Sequence, residues 1–102
     1  MLTSDKDRNK ALSIHQEFGP VRATSFYERL RKVYSDLSPS DSNVIEAWCN
    51  QVEHFAYDLA EQVRDKQLSQ KDALLKISEQ FPELDKKRVD KTYSQAMYFS
   101  SK

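Results

Sequence analysis

One glycine (Gly19) and three prolines (Pro20, Pro39, Pro82) leave this 102-residue chain almost without the residues that hairpins and β-arches rely on. That scarcity predicts an all-α protein, and one glycine cannot build a phosphate-binding loop. The single cysteine, Cys49, cannot close an internal disulfide, and no metal-ligand spacing surrounds it. The two histidines, His15 and His54, belong to no His-x-x-x-His, Glu-x-x-His or Cys-x-x-Cys pattern of the kind metals require. No catalytic, cofactor or metal site is therefore expected. No apolar run approaches the roughly 18 residues that span a bilayer, and residues 1–10 are charged. We expect a soluble, cytoplasmic, non-enzymatic protein without membrane contact.

Lysine and arginine are missing altogether from residues 33–63. That stretch carries six carboxylates: Asp36, Asp41, Glu46, Glu53, Asp58 and Glu61. The chain as a whole is neutral, so the remainder holds an excess of six positive charges. Segregation of this kind gives the molecule one acidic region and a basic remainder, each able to attract the opposite sign.

What is present divides into five helical stretches, expected to form a compact bundle in a single domain over residues 1–102. A second core would leave each half too small to stabilise itself. The first stretch, 5–18, is closed by Gly19-Pro20 and has a stripe of Ala11, Ile14 and Phe18, with His15 beside it. The second opens at Ser25 with Glu28 in capping-box position and carries Phe26, Tyr27, Leu30, Val33, Tyr34 and Leu37 on one face until Ser38-Pro39.

The third stretch, 44–66, begins after Asn43. Its apolar residues run from Val44 and Ile45 through Trp48, Cys49, Val52, Phe55, Ala56, Leu59 and Ala60 to Val63, an arc about 160° wide. So wide an arc suits a central helix contacted by several others. The fourth starts at Ser69 and presents Ala73, Leu74, Ile77 and Phe81, with Leu75 pointing away. The fifth takes Asp85 as N-cap and lines up Val89, Tyr93, Ala96 and Met97. Expected core anchors are Phe26, Leu30, Tyr34, Trp48, Val52, Phe55, Leu59, Ile77, Phe81, Val89 and Tyr93. Cys49, inside the arc, behaves as a small hydrophobe.

Two faces carry unusual chemistry. Opposite the apolar arc of the third helix lie Glu46, Glu53, His54, Tyr57 and Glu61. A tyrosine among carboxylates suits a protein-binding patch, because the ring offers large contact area at low entropic cost. The plainer reading is a solvated face with Tyr57 packed sideways on a neighbour. The first turn of the fifth helix holds Lys86, Lys87 and Arg88 against a helix dipole that is already positive there, each disfavoured by roughly 0.3–1 kcal/mol.

With Lys91 and Tyr98 on the same helix, these cations suit an anion or a nucleic acid, unless Glu83, Asp85 and Asp90 neutralise them. The fourth and fifth stretches, 69–99, have the order of a helix-turn-helix, although their turn lacks glycine and the chain is neutral. The leading expectation is a helical interaction or adaptor protein that binds a protein partner, a second copy of itself included. The alternative is a nucleic-acid-binding regulator acting through 69–99.

Overall fold

Five helices and no strand occur among the residues described by the computed structural model, 4–17 and 24–101. The chain is all-α: α1 (Asp5–His15), α2 (Phe26–Arg31), α3 (Pro39–Arg64), α4 (Gln70–Gln80) and α5 (Lys86–Ser100). It divides into two units, Met1–Asn50 and Gln51–Lys102, and the 26-residue α3 contributes to each. Phe18, Gly19 and Pro20, expected to end the first helix, lie outside the described residues.

In the first unit, Ser4 caps α1 by accepting the Asp7 N–H at 3.1 Å. Asp5 and Asp7 place negative charge where the dipole is positive. At the other end, the Arg29 guanidinium donates to the Ile14 carbonyl at 2.6 Å and to the Thr24 carbonyl at 3.2 Å, tying α1 to α2. Ala11, Leu12 and Ile14 are buried with Phe26 and Leu30. Leu12, absent from the expected stripe, is among the largest fully enclosed side chains.

The expected second helix over 25–38 stops at Arg31. Turns follow, closed by Tyr34 N–H to Leu30 O at 2.9 Å and Leu37 N–H to Tyr34 O at 3.1 Å. Val33, expected on the same apolar face as Phe26 and Leu30, is 49 % exposed, while Leu37 is buried. The Tyr34 hydroxyl donates to the Asp7 carboxylate at 2.8 Å, a contact spanning 27 positions of chain. Pro39 proves to be a starter: Ser38 Oγ accepts the Asp41 N–H at 3.1 Å, and proline fills the first helical position, where its missing N–H costs nothing. α3 therefore begins before Val44, which is 55 % exposed. Trp48 is only half-buried, with the Arg8 guanidinium 5.3 Å from its ring centre.

The Asp7–Tyr34 pair makes stability pH-dependent at both extremes. The Tyr34 hydroxyl, then that of Ser4, holds the Asp7 carboxyl below its ordinary value of 3.8. Burial, then Asp7, pushes Tyr34 up to about 12. The carboxylate's contribution is present at neutral pH and is lost as pH falls through the lowered Asp7 value. The tyrosine's contribution is present below pH 10 and is lost as pH rises towards 12. Tyr34→Phe removes both, so its deficit in urea unfolding should be largest near neutrality and should shrink at either extreme. A deficit independent of pH would contradict the pairing.

In the second unit, α3 ends in a Schellman motif. Lys66 adopts φ 63°, its N–H bonds Val63 O at 3.0 Å, and the Gln67 N–H bonds Gln62 O at 2.8 Å. Ser69 caps α4 by accepting the Asp72 N–H at 3.1 Å, and Asp85 caps α5 by accepting the Arg88 N–H at 2.8 Å. α4 and α5 pack on one another. Val52, Ala56, Leu59, Ala73, Ile77, Phe81, Val89 and Tyr93 are buried, and Phe55, half-buried, meets Phe81 edge-on at 5.6 Å. The Tyr93 hydroxyl is buried without a hydrogen-bond partner among the described residues. Burial pushes its pKa up. Tyr93→Phe should therefore leave urea stability unchanged or raise it by up to about 1 kcal/mol, because an unsatisfied hydroxyl is lost. A clear loss would show that the hydroxyl has a partner.

Candidate interaction surfaces

α3 is oriented in the second unit by Val52, Ala56, Leu59 and Ala60, all buried on one side. The helical period then turns Glu53, Tyr57 and Glu61 outward in a line, each one turn after the last. Glu53 is half-buried, while His54, Asp58 and Glu61 are exposed. Tyr57 is 37 % exposed, and no hydrogen bond or ring contact from the described residues holds it. Glu46 differs. It belongs to the first unit and lies half-buried, its carboxylate 3.9 Å from Nε2 of His15. His15 in turn meets Phe26 edge-on at 5.1 Å. Of the five expected residues, Glu53, His54, Tyr57 and Glu61 thus share one unit and Glu46 serves another neighbourhood.

The cations of α5 fare unequally. Lys86 is exposed and lies 3.8 Å from Asp90. Arg88 is half-buried; burial pushes its pKa down, with Asp85 opposing that shift. Lys87 and Lys91 are exposed, and no carboxylate among the described residues pairs with them. Tyr98 is 52 % exposed and stacks edge-on with Phe99 at 5.4 Å, an aromatic pair at the far end of the helix from the three leading cations.

A third feature went unpredicted. An open groove of about 670 Å³ runs between α4 and α5, lined by Lys71, Leu74 and Leu75 on one side and Lys86, Val89 and Asp90 on the other. Leu75 is 54 % exposed on its rim. The only signal in the sequence was that Leu75 falls off the stripe of its helix, and a groove needs the neighbouring helix before it exists.

Among the described residues, no group of three or more His, Cys, Asp or Glu side chains could hold a metal ion, and no helix is long and apolar enough to cross a membrane. No protein family, curated protein or solved structure matches this chain.

Proposed function

We propose that this chain is a non-enzymatic interaction module that binds a protein partner through the acidic stripe of α3, with Tyr57 as its anchor and Glu53 and Glu61 as flanking charges. The observation carrying this reading is the Tyr57 ring, partly exposed and without a hydrogen bond or ring contact among the described residues, in a segment without a single lysine or arginine. An aromatic left at a surface between carboxylates offers contact area at its centre and charge selection at its rim. His54 contributes a polar edge, and Glu46 is assigned instead to its contact with His15. The enclosed thiol of Cys49 suits the reducing conditions of a cytoplasmic protein.

A second reading, a nucleic-acid-binding regulator, draws on Lys87, Lys91 and Tyr98, which are exposed on α5. It ranks lower because Lys86 has Asp90 beside it and Arg88 is half-buried, which leaves a weak field for phosphates.

The test is quantitative affinity capture from a cell extract with the parent protein, the Glu53→Lys/Glu61→Lys variant, and a Glu79→Lys/Asp65→Lys control of equal charge change. Proteins retained by parent and control but lost from the stripe variant are the expected result. Identical capture by all three, or retention of nucleic acid in place of protein, would overturn the proposal.

A further inference from the structure

The groove between α4 and α5 has a chemistry that the acidic stripe complements. Its middle is apolar, with Val89 buried and Leu74 and Leu75 progressively more open. Cations stand in both walls, Lys71 from α4 and Lys86 from α5. Lys71 has no carboxylate partner among the described residues, whereas Asp90 offsets Lys86, so the groove keeps a net positive charge. Its α4 wall runs from Gln70 to Ser78, about 12 Å at 1.5 Å per residue. The stripe from Glu53 through Tyr57 to Glu61 covers the same about 12 Å, with its ring at the centre and a carboxylate at each end.

We infer that the acidic stripe of one copy docks in the α4–α5 groove of a second copy, Tyr57 lying on Leu74 and Leu75 while Glu53 and Glu61 meet Lys71 and Lys86. This rests on the proposed use of the stripe and names its partner surface. Stripe and groove both belong to the unit Gln51–Lys102. A two-fold pairing therefore makes the same contact twice, and no third component is needed. Of the basic first turn of α5 only Lys86 takes part in this arrangement; Lys87 and Arg88 are not acceptors.

Sedimentation velocity on the full chain tests the inference. The parent should sediment as a dimer, at twice 11.9 kDa, at about 0.1 M salt and dissociate towards about 1 M, where the screening length falls from about 10 Å to 3 Å. Glu53→Lys/Glu61→Lys alone should be monomeric, and so should Lys71→Glu/Lys86→Glu alone. An equimolar mixture of the two should recover the dimer, because both contacts are then again between opposite charges. Leu75→Gln should weaken the parent dimer, with far-UV circular dichroism confirming that each variant is folded.

A parent that stays monomeric at low salt overturns the self-pairing and leaves the stripe available for a different protein. A dimer lost with the stripe variant but unchanged in both groove variants overturns the groove alone. A dimer insensitive to the stripe variant overturns the pairing, and the extract experiment then decides separately whether the stripe has any use.

Discussion

Ile77→Ala is expected to lower the free energy of unfolding by about 2–5 kcal/mol, a large share of the 5–15 kcal/mol typical of small domains. Ile77 has no accessible surface, and neither has Ala73 one turn earlier, so truncation leaves a cavity on the inner side of α4. Leu75, two positions before it and 54 % exposed, is the internal control once self-association is screened out at about 1 M salt: Leu75→Ala should then change stability by no more than about 0.5 kcal/mol. Urea unfolding followed by far-UV circular dichroism measures both. Equal losses, or a larger loss for Leu75, would mean that α4 presents its other face to the core and that the groove lining is wrong.

Leu30→Ala should cost a comparable about 2–5 kcal/mol in the first unit. Leu30 is fully buried near the end of α2, and its carbonyl also closes the turn that follows by accepting from Val33 and Tyr34. Trp48, the only tryptophan, lies in the same unit, so its fluorescence reports this transition directly. Val33→Ala discriminates between a two-turn helix and the longer one suggested by periodicity. In a continuous helix Val33 shares the face of Leu30 and its truncation is felt; in the observed turn it is 49 % exposed and the change stays within about 0.5 kcal/mol.

These two sites also mark where the sequence was and was not sufficient. Three helix starts with a side-chain cap were legible, because Ser25, Ser69 and Asp85 each place an acceptor three residues before the amide they satisfy, whereas Ser38, with the same spacing to Asp41, reads from sequence as the end of the second helix. Stops were less so. Apolar spacing continued through Val33 and Tyr34, yet the Asp7–Tyr34 hydrogen bond, which spans 27 positions, is a tertiary feature that no local pattern encodes. Ser38-Pro39 is ambiguous for a related reason: proline ends one helix and begins another with the same ring, and only the hydrogen bond from Asp41 to Ser38 decides the direction.

The burial of large residues shows the same division. Phe26, Val52, Leu59 and Ile77 lie inside as expected, while Tyr34, Trp48 and Phe55 stop half-way. Tyr34 keeps its hydroxyl within reach of Asp7, and Trp48 keeps a face towards Arg8. The outward line of Glu53, Tyr57 and Glu61 followed from helical period alone. The α4–α5 groove did not, since it is a property of two helices together.

Covalent footprinting of carboxylates and lysines, on the protein at high dilution and in its bound state, tests the use of the stripe most directly. Protection of Glu53, Asp58 and Glu61 on binding, with Lys87 and Lys91 still fully reactive, is the expected outcome. Protection of Lys87 and Lys91 with the α3 carboxylates unchanged would contradict it and move the working surface to α5.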